Sequence, residues 1–471
     1  MISDSPFAPY LGTNYCPSDE EVLKLNAFLS TALCLPTVEA HRALLSPARR
    51  LPLDVLQEIF VACMPSHRNC VMSAQETPVL LGRICSSWRD ISLSTPRLWS
   101  RLHIAEPQDR ESLSLKFAQR FENIKMWLGR SGECPLSISL YSDFQNRYLY
   151  RWSLVHALLP FTSRWQHIHF TTSPAMLKAV SHLTESDVPL LQTVKFHHDY
   201  RHNTSQHEDL ALRQFGLLRS TRISNFSARE NYFIDQTLPL LWHRLTVLEI
   251  LPSPMRLLTS EKIIPIISRC PELRVCKLGV YHDGSAEQSS SHLVRVELKH
   301  LHTLEVNCQT VEIIISRLLR RLLLPQLLSL SLRGPSYGEH SPSLASLLAR
   351  WQLEDLEISS DGFSKPSLLG GLRSLPDTMK RLVIHNVVLE MHNCFLISDA
   401  ALLRLITSRM ESASKLKRVQ VTFTREMTVD ILPPLQPFIK NGLDISVVHT
   451  STQRFPVHFS PWEGLSDPSR F

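Results

Sequence analysis

Glycine is scarce, at 14 of 471 residues, well under the ~7% usual in globular chains. Loops that cradle phosphates need clustered glycines, and the sequence contains neither a P-loop nor a dinucleotide fingerprint. Paired cysteines are also missing. The ten cysteines include no C-x-x-C, and that density reads as reduced thiols in an intracellular chain, cytoplasmic or nuclear. The most apolar segment, "RLLRRLLLPQLLSLSL", is interrupted by arginines and Pro325, so no membrane span is expected. The opening "MISDSPFAPYLG" has neither the basic nor the apolar stretch of a secretory signal. H-E-x-x-H is absent, and the chain is not expected to be an enzyme. A net charge of +6 is small for this length, and no nucleic-acid partner is expected. The histidine-rich "HHDYRHNTSQH" reads as a polar loop, so neither metal nor cofactor is expected.

Leucine is abundant, with 76 residues. Hydrophobic content is 43% and charged content 20%, enough to bury a large core. From about residue 165 an apolar pattern at positions 1, 4 and 6 returns repeatedly. It reads "WQHIHF" at 165, "LQTVKF" at 191, "LRSTRI" at 218, "LTVLEI" at 245 and "LRVCKL" at 273. It continues with "LHTLEV" at 301, "LLSLSL" at 327, "LEDLEI" at 353 and "MKRLVI" at 379, in steps of 26 to 28. "LKRVQV" follows at 416, while "PLSISL" at 135 and "LDISVV" at 443 read as irregular end strands. Each unit is a short strand followed by an apolar stretch, such as "TVEIIISRLLRRLL" or "SLASLLARW", which reads as a helix. Neither element buries its apolar face alone, so the units must stack. The fold class is therefore α/β: N-terminal helices, then an irregular leucine-rich-repeat-like solenoid over 134–450, with parallel strands on its concave face and helices on its convex face. The asparagine usual at repeat position 9 is missing, as at Tyr281, Gln309 and Val387.

The first hundred residues read as short helices. Val55, Leu56, Ile59 and Phe60 make one wide apolar stripe, opened by Pro52 and closed by Pro65. A polar insertion covers 66–77. Thr77-Pro78 and Thr95-Pro96 each read as a helix start. Leu113, Phe117, Phe121, Ile124 and Leu128 predict a long helix, with Gly129 as its C-cap. About 50 residues make a marginal core, which leaves apolar surface for a partner.

"LP…VLQEIF…LLGRICSSWRDISLSTPRLWSRL" over 51–102 resembles an F-box of the type abundant in mushroom-forming fungi. The leader "ALLSPARRLP" and the following "WLGRSGECPLSISL" share that resemblance. It implies a leader over 1–50, an F-box over 51–105, a linker helix over 106–133, the repeat array, and a tail over 451–471. It also implies binding to a Skp-type adaptor and, through it, to a cullin, with the repeats holding a target protein for ubiquitination. Carried onto this sequence, adaptor contacts fall on Leu51, Pro52, Val55, Leu56, Ile59 and Phe60. Leu80, Cys85, Trp88, Leu98 and Trp99 complete that surface or the core beneath it. The alternative is a repeat scaffold with a degenerate F-box. Strand side chains alternate, so target docking is expected on position 5 of the repeats: His169, Lys195, Arg222, Glu249, Lys277, Glu305 and Glu357.

Overall fold

Proline and apolar spacing set the first helices. The computed structural model describes residues 5–449 except 12, 14, 32–34, 107–112, 143–153, 173, 198–211, 231–236, 253–257, 281–294, 309–313, 315–317, 335–343, 360–369, 387–398, 412–415 and 424–428. The chain forms two compact units: residues up to Ser142 with Leu154–Trp165, and residues from Gln166 onward.

In the first unit, α1 (Asp19–Thr31) and α2 (Leu35–Arg42) lead the chain. Phe7, Leu25 and Leu44 make a small buried core there. Pro52 caps α3 (Leu53–Ala62), where a missing N–H costs nothing. Thr77-Pro78 does not open a helix. Residues 77–80 turn, a 3-10 turn covers Leu81–Arg83, and the extended backbone of Cys85 delays α4 to Ser86–Leu93. Thr95-Pro96 does open a 3-10 turn, Pro96–Trp99. The long helix α5 is Leu113–Arg130. Its stop is at Gly132, with φ 53°, whereas Gly129 lies inside the last turn.

Two parallel strands belong to this unit, β1 (Arg101–Ala105) and β2 (Leu136–Tyr141). The insertion at 66–77 is built onto them. Val71 bridges His103, whose N–H donates to the Cys70 carbonyl at 2.7 Å. Arg68 forks onto Glu76 at 2.7 and 2.9 Å, and Asn69 bonds Ser137 and Ser139 on β2. An otherwise open strand edge is thereby covered.

The second unit carries β3 (Trp165–Thr171), β4 (Thr193–His197), β5 (Asn225–Glu230), β6 (Val247–Pro252) and β7 (Val275–Val280). After the two-residue β8 (Val296–Glu297) come β9 (Thr303–Cys308), a two-residue β10 (Leu322–Leu323) and β11 (Ser329–Arg333). β12 (Asp355–Ser359), β13 (Arg381–Asn386), β14 (Arg418–Phe423) and β15 (Asp444–His449) follow. β8 and β10 pair with each other. The other strands of this unit are parallel and hydrogen-bond in chain order. The predicted α/β class with a large parallel sheet is what the structure has.

Positions 1, 4 and 6 form the core. Trp165, Leu191, Leu245, Leu273, Leu301 and Leu353 are fully buried at position 1. Pairs such as Ile168 with Phe170 and Leu304 with Val306 are buried at 4 and 6. One repeat is out of phase with the sequence reading. "LRSTRI" at 218 is not a strand: Leu218 lies in the 3-10 turn Gly216–Arg219. The register pairs Thr193 with Asn225 and Val194 with Phe226, so the unit reads "ISNFSA" from Ile223. Ile223, Phe226 and Ala228 are its buried residues. The local steps are then 32 and 22, from starts at 191, 223 and 245.

The connecting segments are mostly 3-10 turns rather than α-helices, as at Glu185–Asp187, Trp242–Arg244 and Leu319–Arg321. A short return stroke favours tight turns. Longer helices occur at Ser260–Ile267, Asp399–Glu411 and Leu432–Lys440. "SLASLLARW" is helical only over Leu344–Leu348. Tyr281, Gln309 and Val387 lie outside the described residues.

Candidate functional site

The apolar stripe of α3 is two stripes. Leu56, Phe60 and, beyond the helix end, Met64 are buried. Pro52, Val55 and Ile59, on the adjoining strip of surface, are exposed, the last two at 39% and 41%. Leu53 is more exposed still, at 56%. Leu80 and Ile84, before α4, reach 42% and 57%, and Leu93 at its end is also exposed. Single exposed aliphatics are ordinary, but so many on one small helical unit stand out. Sequence reasoning missed Leu53 and Ile84: Leu53 stands three and seven residues before the buried Leu56 and Phe60, so helical spacing put it in the buried stripe.

Leu56, Phe60, Leu98 and Trp99 are turned into the unit's own core. Trp99 donates its indole N–H to the Ser92 carbonyl at 2.8 Å. Its ring lies 4.8 Å from that of Trp127, edge to face, and the Arg130 guanidinium lies 4.7 Å from its centroid. Trp88 is half-buried, tilted over Phe60 at 4.8 Å. Leu51 and Cys85 are half-buried.

Glu106 lies elsewhere in this unit. It accepts hydrogen bonds from the Ser142 hydroxyl and the Leu154 N–H. Burial pushes its carboxyl up to about 7, against those two hydrogen bonds and the Arg120 charge.

On the second unit, positions 3, 5 and 7 line the face opposite the core. Row 5 runs His169, Lys195, Ser227, Glu249, Lys277, Glu305, Ser331, Glu357, each beside the next. Arg222 is not in it. It sits in the turn before β5, because the repeat begins at Ile223, and Ser227 takes its place.

Much of the row neutralises itself. Arg229 donates to Glu249 at 2.6 Å. Lys277 pairs with Glu305 at 3.0 Å, and Arg333 reaches both Glu305, at 3.8 Å, and Glu357, at 2.8 Å. At the β3–β5 end the groups around Lys195 are imidazoles and hydroxyls. His169 Nε2 lies 2.9 Å from His197 Nδ1, and His197 Nε2 lies 2.9 Å from Ser227 Oγ. Burial, then the His169, Arg229 and Lys195 charges, hold His197 well below its usual range, so it is neutral at pH 7.

A serine, a histidine and a second histidine in line have the order of a nucleophile, base and orienting group. Acyl transfer also needs room at the nucleophile and convergent N–H donors. Ser227 is 2% exposed in a strand flanked by β4 and β6. The arrangement is suited to binding through its half-exposed members, not to attack.

Arg321 is buried and pairs with Glu261 at 2.6 Å, Arg320 is exposed, and Arg317 lies outside the described residues. Of the four clustered histidines, His198, His202 and His207 also lie outside them. Among the described residues no cluster of three His, Cys, Asp or Glu could hold a metal, and no helix is long and apolar enough to cross a membrane.

No family model matches the chain, and no curated protein matches it. A solved crystal structure of a protein from Bacteroides fragilis aligns with 74% of this chain and 87% of its own, at 12% identity and a TM-score of 0.32. A likeness that distant carries no argument about function.

Proposed function

We propose that the chain is the substrate-recognition subunit of a Skp–cullin–F-box ubiquitin ligase. The first unit binds the adaptor, and the polar face of the second binds a target protein. The observation that carries the reading is the exposed aliphatic surface of the first unit: Leu53, Val55 and Ile59 on α3, with Leu80 and Ile84 before α4. It lies within the segment 51–102 that resembles an F-box. In this reading the chain does no covalent chemistry. Tethering raises the target's effective concentration near a ubiquitin carrier held elsewhere in the ligase.

The test is capture of a purified fungal Skp-type adaptor by wild type and by Val55→Asp/Ile59→Asp. Both positions are exposed, so the fold is kept and the melting temperature stays within a few degrees. Burying two aliphatics at an interface is worth about 3–6 kcal/mol, so the double variant should bind at least ~100-fold more weakly. Folded wild type that captures no adaptor would remove the ligase role and leave a repeat scaffold.

A further inference from the structure

We propose that the β3–β5 end of the exposed sheet face is an anion site that takes an acidic, carboxylate-bearing stretch of a target protein and binds a proton as it does so. The inference rests on the reading of this face as a docking surface. Its first support is the charge pattern. From β6 onward the row-5 carboxylates have cationic partners: Glu249 has Arg229, Glu305 has Lys277 and Arg333, and Glu357 has Arg333. At the β3–β5 end the excess is of donors. Among the described residues Lys195, half-exposed in mid-row, has no ion pair. Beside it are His169 and Thr171 on β3, His197 on its own strand, and Ser227 and Arg229 on β5. Arg229 uses its Nε and one terminal nitrogen on Glu249, and a guanidinium has five N–H donors.

The second support is hydrogen-bond valence. Neutral His197 has one donor and one acceptor for its two partners, His169 Nε2 and Ser227 Oγ. Protonation makes both ring nitrogens donors. Ser227 Oγ must then accept. The groups facing His197 are His169 and Thr171 from β3, Lys195 beside it, and Ser227 and Arg229 from β5, with Glu249 already held by Arg229. Their charges oppose the imidazolium. An anion laid over them offsets that repulsion, so binding and protonation favour each other.

The third is shape. The donors are spread over three strands spaced about 4.8 Å apart, roughly 10 Å in all. That span fits successive acidic side chains rather than one compact ion.

The test is titration calorimetry on the full-length chain at low salt. The probe is a capped octaglutamate peptide, measured at pH 5.5 and 8.0 in buffers of different ionisation heat, with inorganic phosphate as a separate arm. The expected result is binding at least ten-fold tighter at pH 5.5, with net proton uptake. Lys195→Gln should weaken binding at both pH values. His197→Gln should erase the pH dependence, and Lys380→Gln, outside the docking row and paired with Glu354, should leave binding unchanged. Absence of peptide binding, equal binding by Lys195→Gln, or phosphate bound as tightly as the peptide would overturn the proposal. Adaptor capture depends on Val55 and Ile59 in the other unit, so either idea can fail while the other stands.

Discussion

Trp88 and Trp99 sit eleven positions apart in a stretch of matching composition, yet only one is wholly interior. Trp99 is closed off by Trp127, Arg130 and its bond to Ser92, while Trp88 covers Phe60 and keeps part of its ring at the surface. Phe60→Ala should therefore cost about 3–5 kcal/mol, read by denaturant unfolding, with loss of adaptor capture following from unfolding rather than from a lost contact. Ile59→Asp, one residue away, should spare stability and remove capture. Sequence spacing marked both residues as apolar and helical. It could not say which half of a wide stripe meets the unit's own core, because that depends on where α4 and the Pro96–Trp99 turn pack. Glu106 was not legible at all, since the Ser142 and Leu154 groups that hold it are 36 and 48 residues away. Its carboxyl is raised to about 7 in the fold, against about 4.5 when solvated. The folded state thus holds the proton more tightly. The stability this gives is complete below about pH 4.5 and is lost as pH rises through 7, amounting to roughly 3 kcal/mol. Glu106→Gln should flatten that decline, measured as melting temperature between pH 4.5 and 8.

At the scale of the element, the strand repeat was the most legible feature. Positions 1, 4 and 6 must be apolar in every unit because three neighbours bury them. The exception is β5. Its text offers two phases, "LRSTRI" and "ISNFSA", and the more leucine-like phase proved to be a 3-10 turn feeding the strand. A constant period misled where one unit runs long and the next short, and the misplacement of Arg222 followed. The scarcity of glycine gives those that remain more meaning. Gly334 follows β11 with φ 150°, and a Cβ there would lie 2.1 Å from the Cys308 carbonyl oxygen at the end of β9. Gly334→Ala should cost at least about 2 kcal/mol, with local loss of amide protection along β9 and β11 by hydrogen exchange. The insertion at 66–77, read from sequence only as polar, is an edge cover, because Arg68 and Glu76 hold each other while Asn69 reaches β2.

Across the whole molecule the chain divides at 165/166, so β2 belongs with β1 to the helical unit, although the solenoid was expected to begin at 134 and to include it. The second unit has a property that its composition would not disclose. Its ladder runs in chain order, apart from the small β8–β10 pair, so each strand can leave only after its outer neighbour has left. Pulled by its ends in an optical trap, this unit should not yield in one event. It should peel from the β15 side in successive steps, each freeing one unit of about 26 residues, roughly 90 Å of contour. A machine that threads this chain from its C-terminus would meet resistance in small, regular instalments.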